Sequence, residues 1–275
     1  MKKTIQIGNR TFDLDGHTYI MGILNMTPDS FSDGGSYHSV DDALFRVEQM
    51  IKEGADLIDI GGESTRPGHT QISIEEEISR VTPVISAVKE RFDVPVSIDS
   101  YKVPVVKAAL ECKADLVNDI WGLLSDEQMA KTIADADVTC CLMHNKADTE
   151  YTDIMKECVE SLQHSVDLAL RAGISKDRII LDPGIGFGKT YEQNLFVMKQ
   201  IEEFNVLGYP MLLGTSRKSM IGLTLDLPVT ERVEGTLVTS VLAVLAGWNF
   251  IRVHDIKENK RAVKMAEAIR DSKGF

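Results

Sequence analysis

The chain has 275 residues, 43% of them hydrophobic and 26% charged, with a formal net charge of −12. That length suits one large α/β domain of about 250 residues and is too short for two ordinary domains with a linker; the balanced composition excludes a disordered scaffold. The acidic surplus excludes a duplex-binding protein, because phosphate contacts supply most nucleic-acid affinity and require the opposite sign.

From the N-terminus, residues 4–13 alternate apolar and polar around Gly8-Asn9, a two-residue hairpin turn. A small hairpin is expected there, capping one end of the domain. The segment before it has no continuous apolar stretch, so no signal peptide is expected. Short apolar runs follow at Tyr19–Leu24, Asp56–Ile60, Val94–Ile98, Asp115–Ile120, Val138–Met143, Arg178–Leu181, Tyr209–Leu213 and Phe250–Val253. Several are almost wholly apolar, as strands buried on both faces of a parallel sheet must be. Between and after them lie amphipathic patterns at Asp41–Glu53, Ile74–Glu90, Val103–Leu110, Glu127–Ala134, Thr152–Ala172, Glu192–Phe204, Glu231–Ala246 and Glu258–Arg270. Eight such βα units predict an α/β fold of the (β/α)₈ barrel type, one domain over residues 1–275. The alternative, a doubly wound open sheet, would show fewer strands or a glycine-rich first βα turn, and no GxGxxG follows the first run.

The longest apolar stretch, around Leu237–Ala246, is broken by Thr239 and Ser240 and is too short to span a bilayer. Cys112, Cys140, Cys141 and Cys158 have no CxxC spacing. A reducing, cytoplasmic setting is expected rather than a disulfide framework or a zinc site.

In a (β/α)₈ barrel the chemistry lies at the C-terminal ends of the strands. Those ends carry Asn25; Glu63, Ser64, Thr65 and Arg66; Asp99; Asn118 and Asp119; His144 and Asn145; Asp182; Ser216, Arg217 and Lys218; and Arg252, His254 and Asp255. Any single Asp or Asn among them reads as a helix cap or an Asx-turn. Together they predict a polar, planar ligand held from several sides. Asp182 and Asn118 suit the edge of a heterocycle that carries an amino group beside a ring N–H, since a carboxylate accepts two parallel hydrogen bonds. Lys218 is read either as a donor to a ring carbonyl or imine nitrogen or as a Schiff-base lysine, its pKa lowered by adjacent Arg217. The segment GTSRKSMIG (214–222) resembles a phosphate-binding corner ahead of an apparent helix. Neither it nor DPGIGFGKT (182–190) has P-loop spacing. The six histidines lack HxH or HxxxH spacing, and His254 is read equally as a packed or a catalytic residue. A diphosphate ligand would favour Mg²⁺, with Asn25 as a single oxygen donor.

MGILNMTPDSFSDGG (21–35), GADLIDIGGESTRPG (54–68), SIDSYK (97–102), NDIWG (118–122), LDPGIGFGKT (181–190), GTSRKSMIG (214–222) and IRVHD (251–255) resemble, in order, the motifs of the dihydropteroate synthase family. The resemblance covers roughly residues 4–270. The segment 142–153 departs from it, and only Met143 carries over from that stretch. It implies transfer of the pterin-methyl group of 6-hydroxymethyl-7,8-dihydropterin diphosphate to p-aminobenzoate, giving 7,8-dihydropteroate and pyrophosphate in folate biosynthesis. A dissociative displacement is implied, in which pyrophosphate leaves before the amine attacks.

The implied pterin pocket comprises Asp99, Asn118, Asp182 and Lys218, with Met143 and Phe187 against the ring. Asn25, Arg252 and His254 would hold the diphosphate, with Mg²⁺ shared through Asn25. Phe31, Asp33, Thr65, Arg66 and Pro67 would close over the site as lids and, with Lys218 and Ser219, form the p-aminobenzoate slot. Catalytic roles are implied for Asp33, Asp99, Lys218, Arg252 and His254. The resemblance also implies a homodimer through helices late in the chain, such as Glu231–Ala246. The alternatives are a pterin-binding methyltransferase barrel, which would not need Arg66, Lys218, Arg252 and His254 together, and an inactive pterin-binding paralogue.

Overall fold

The computed structural model describes residues 3–26, 36–63 and 71–273, apart from the side chains of residues 36–39. Strands β1 (Thr4–Ile7) and β2 (Arg10–Asp13) pair antiparallel, with Ile7 opposite Arg10. Gly8 makes the turn at φ +59°, where a Cβ would also strike the Asp115 carboxyl.

Among the described residues the eight remaining strands form one parallel sheet: β3 (Tyr19–Asn25), β4 (Leu57–Gly61), β5 (Val96–Asp99), β6 (Leu116–Asp119), β7 (Thr139–Met143), β8 (Ile179–Asp182), β9 (Leu212–Leu213) and β10 (Phe250–Val253). Their order is β8-β7-β6-β5-β4-β3-β10-β9, and a parallel bridge between Leu181 and Met211 joins the two ends into a barrel.

Helices α1 (Ser36–Glu53), α2 (Ile74–Arg91), α3 (Val103–Glu111), α4 (Glu127–Ala136), α5 (Ile154–Ala172), α6 (Tyr191–Lys199), α7 (Ser219–Leu225), α8 (Val233–Leu245) and α9 (Ile256–Arg270) connect and surround the strands. No helix among the described residues is long and apolar enough to cross a membrane.

Side chains alternate across each strand with a period of two, which sorts the core into two clusters. Ile20, Ile58, Val96, Val117, Cys140, Leu181 and Ile251 pack outward with the helices. Met21, Leu57, Leu116, Cys141, Ile180, Leu212 and Phe250 point into the barrel and meet Ile5, Ile7 and Phe12 of the hairpin. Phe12 stands edge-on to Tyr19, with ring centroids 4.8 Å apart. The hairpin therefore plugs the end of the barrel at which the strands begin, as its alternation led us to expect.

Several elements differ from the sequence reading. The strand expected at Tyr209–Leu213 shrinks to Leu212–Leu213, because Pro210 has no N–H to donate. The helix expected at Glu192–Phe204 ends at Lys199 and tightens into a 3₁₀ segment, Ile201–Leu207. Ile201, Phe204 and Leu207 recur every third residue and are all buried, which matches three residues per turn. The region after Lys218 forms the separate short helix α7 before α8. The strands at Asp56 and Asp115 begin one residue later than expected, since each acid caps a neighbouring strand: Asp56 Oδ2 accepts from Ile20 N at 2.8 Å, Asp115 Oδ2 from Val96 N at 2.8 Å.

Candidate active site

Continuing the alternation from Leu57, Leu116, Ile180 and Phe250 toward the C-terminal ends of the strands brings Asp59, Asn118, Asp182 and Arg252 onto the barrel lining, and Asp99 joins them from β5. The centre is Arg252. Its Nε donates to Asp59 Oδ2 at 2.5 Å and its Nη2 to Asp99 Oδ2 at 2.5 Å, while Asn118 Nδ2 donates to Asp59 Oδ2 at 3.2 Å. Asp59 is wholly buried and Asp99 nearly so. Among the described residues, Asp59 Oδ1, Asp99 Oδ1 and Ser97 Oγ are buried without a hydrogen-bond partner. Such acceptors are costly unless a donor reaches them, so this wall suits a ligand rich in N–H groups.

Burial pushes the Asp99 carboxyl up to about 7, against the lowering pull of Arg252 and with help from the Asp59 and Glu77 carboxylates. Burial also opposes the charge on Arg252, but Asp59 and Asp99 outweigh it and the guanidinium is held more firmly protonated than usual.

Strand β8 ends at Asp182, whose Oδ1 accepts from Gly184 N at 2.7 Å and whose pKa burial raises. Lys218 faces it from the cap of α7, donating to the Ile185 carbonyl with its ammonium 4.6 Å from the centre of the Phe187 ring. Burial brings Lys218 down to about 8, opposed by Asp182 and aided by Arg252 and Lys189. Arg217 takes no part in this shift, contrary to the sequence reading: it pairs with Asp255, its Nε 3.0 Å from Oδ2. The charged neighbours and the Ile185 carbonyl favour the donor role for Lys218 over a Schiff base, which needs an apolar setting.

The proton on Lys218 gives a pH expectation. The ammonium is charged below about 8 and lost above it, so kcat/KM for a substrate that uses it falls as pH rises through about 8. Lys189, also held near 8 by burial, steepens the same limb. A profile flat to pH 10 would remove charged Lys218 from binding.

Met143 ends β7 buried, and Phe187 is half-buried on the β8 loop. His254 follows β10 with Nδ1 2.9 Å from Ser216 Oγ. Ser219 opens α7 and is exposed. Asn25, half-buried, ends β3 at the same mouth. The structure thus brings Asp99, Asn118, Asp182, Lys218 and Arg252 together, with Asn25, Met143, Phe187, His254 and Ser219 on the same rim. Phe31, Asp33, Thr65, Arg66 and Pro67 lie outside the described residues.

Sequence reasoning missed Asp59 and Lys189. Asp59 sits within an apolar run, and its signal is a carboxylate at the same parity as Leu57. His144, named only as a strand end, is buried with Nδ1 2.9 Å from Lys189 Nζ.

A barrel with a polar ring at one end and a plugged floor at the other presents a site for a small polar molecule. Residues 21–254 match the pterin binding enzyme family, and the chain belongs to it. It is 56% identical over 266 residues to a dihydropteroate synthase of Clostridium beijerinckii, covering 96% of this chain and 99% of that one. A crystal structure of dihydropteroate synthase from Clostridium difficile in the presence of pteroic acid matches with a TM-score of 0.91 and 47% identity, over 97% of this chain and 99% of that one. The Xanthomonas albilineans dihydropteroate synthase with 4-aminobenzoic acid matches with a TM-score of 0.94 and 37% identity, over 99% and 100% of the respective chains.

Proposed function

We infer that this chain is a transferase of the dihydropteroate synthase type. It joins the pterin-methyl carbon of 6-hydroxymethyl-7,8-dihydropterin diphosphate to the nitrogen of p-aminobenzoate. The C–O bond to the diphosphate breaks, a C–N bond forms, and the amine nitrogen gives up a proton; the products are 7,8-dihydropteroate and pyrophosphate. The observation that carries this reading is the ring of acceptors from Asp99, Asn118 and Asp182, set beside two cations, Lys218 and Arg252, at one end of the barrel.

Asp182 and Asn118 read the amino and N–H edge of the pterin, and Lys218 donates to its carbonyl. Arg252, with His254, faces the leaving diphosphate. The work assigned to these groups is positioning and charge stabilisation with no covalent enzyme intermediate. A turnover assay with both substrates tests the assignment: dihydropteroate and pyrophosphate formed one for one support it, and a purified, folded chain giving neither overturns it.

Mg²⁺ is the proposed cofactor. It keeps several waters and needs only one or two protein oxygens beside phosphates. Among the described residues no cluster of three or more His, Cys, Asp or Glu is placed to enclose a metal, and the rim offers the neutral carboxamide of Asn25. That donor set fits a hydrated Mg²⁺ carried largely by the diphosphate, with Asn25 as its protein ligand. When bound, the ion would supply positive charge to the departing group. Exhaustive chelation is expected to reduce turnover by more than tenfold, restored by added Mg²⁺; full activity in chelator would show that the protein cations suffice.

A cytoplasmic homodimer is proposed as the working form. The free thiols of Cys112, Cys140, Cys141 and Cys158 suit a reducing compartment. Val238, Leu242 and Leu245 line one exposed face of α8, next to exposed Leu223 and Leu225 of α7. Exposed apolar residues gathered on one helix face suit an interface, and a C₂ dimer would pair that face with itself. Sedimentation of the protein should give twice the chain mass, and Val238→Asp should shift it to one chain mass; a wild-type monomer at micromolar concentration would overturn the dimer.

A further inference from the structure

Lys189 is buried behind the Asp182 loop, and Nζ lies within hydrogen-bond distance of four neutral acceptors: the Pro183 carbonyl at 3.0 Å, the Gly184 carbonyl at 3.1 Å, the Phe187 carbonyl at 3.2 Å and His144 Nδ1 at 2.9 Å. Among the described residues no carboxylate forms an ion pair with it. Alternating glycines make this cage possible. Gly184, Gly186 and Gly188 have φ of +68°, +88° and +54°, backbone angles that let the carbonyls of Pro183, Gly184 and Phe187 gather round one point. A Cβ at Gly184 would overlap the His144 carbonyl, and one at Gly188 would overlap Lys146.

The loop is gripped from both sides. Lys189 holds the carbonyls at the back, while at the front Lys218 donates to Ile185 O and sits over the Phe187 ring. The same loop supplies the Gly184 N–H that orients Asp182. His144 is kept neutral, its pKa lowered to about 3 by burial and by Lys189, and in the tautomer with its proton on Nε2 its Nδ1 accepts from the ammonium.

We propose that Lys189 is a positioning residue for pterin binding, its caged ammonium fixing the 183–188 loop so that Asp182, Phe187 and Lys218 meet the ring in register. An ammonium is suited to this because one atom donates three hydrogen bonds, each strengthened by its charge. The proposal rests on the reading that Asp182 and Phe187 face the pterin.

The test measures binding of 6-hydroxymethylpterin by calorimetry, alongside steady-state kinetics, for Lys189→Ala and Lys189→Met. Pterin affinity and the KM for the pterin diphosphate should each worsen tenfold or more, with the KM for p-aminobenzoate within twofold of wild type. In Lys189→Ala, ammonium chloride should restore pterin affinity and tetramethylammonium chloride at equal concentration should not, because it has no N–H to donate to the cage. Unchanged pterin affinity, or a uniform loss that both salts relieve equally, would overturn the proposal.

If neither variant folds, His144→Leu carries the test: it leaves the ammonium in place and removes one acceptor, and pterin affinity should drop at least threefold, with wild-type affinity overturning the proposal. Asp182→Asn in the same assay separates the two layers of inference. If it also binds pterin normally, the reading of the pocket has failed; if it alone loses binding, the positioning role has failed.

Discussion

Asp182→Asn is expected to weaken pterin binding by about five- to 150-fold while leaving the protein folded. The carboxylate has one oxygen engaged, Oδ1 accepting from Gly184 N at 2.7 Å. An asparagine can keep that bond through its carbonyl, so the loop retains its anchor. The other position then becomes an NH₂ that points donors at a ligand edge made of donors. A buried donor left unmatched costs about 1–3 kcal/mol, which gives the quoted range at about 1.4 kcal/mol per tenfold. Calorimetry with a pterin, beside a melting curve, measures both parts. Wild-type affinity in the folded variant would place the pterin edge elsewhere.

Arg252→Met is expected to abolish turnover and to destabilise the protein by about 3–5 kcal/mol at neutral pH, the usual cost of stranding a buried charge. Here two carboxylates are stranded, those of Asp59 and Asp99. Burial already lifts Asp99 to about 7 with the guanidinium beside it, and without that cation it rises further. The folded variant then binds a proton that the unfolded chain has released. Stability must therefore fall as pH rises from the ordinary carboxylate range, about 4, through the raised folded value, and the deficit shrinks in acid. Urea denaturation at pH 5 and pH 8 should show a smaller gap from wild type at pH 5. An equal gap at both would mean that protonation of the stranded Asp99 does not set the penalty.

Much of the fold was legible because a parallel barrel writes itself as apolar runs alternating with amphipathic helices, and the strand-end residues follow from topology. What the runs did not reveal depends on contacts between distant parts of the chain. Asp59 looked like part of a strand, and only the arrival of Arg252, 193 residues later, marks it as part of the charged centre. Lys189 read as a fragment of a failed phosphate loop, since nothing local announces that His144 closes its cage from 45 residues away. Adjacency suggests that Arg217 lowers Lys218, yet its pairing with Asp255 takes the guanidinium out of that role. The 3₁₀ turn at Ile201–Leu207 was hidden for a different reason, because apolar spacings of three and of three-to-four overlap within so short a stretch.

The hairpin makes the barrel a well with a single mouth. Ile5, Ile7 and Phe12 fill its base against Leu57, Leu116 and Phe250, so whatever binds near Asp59 must come and go past the rim that carries Lys218 and His254. On the proposed reading, a flat ring held at Asp182 and Asn118 would descend before an amine stacked above it, and an amine that arrived early would stopper an empty well.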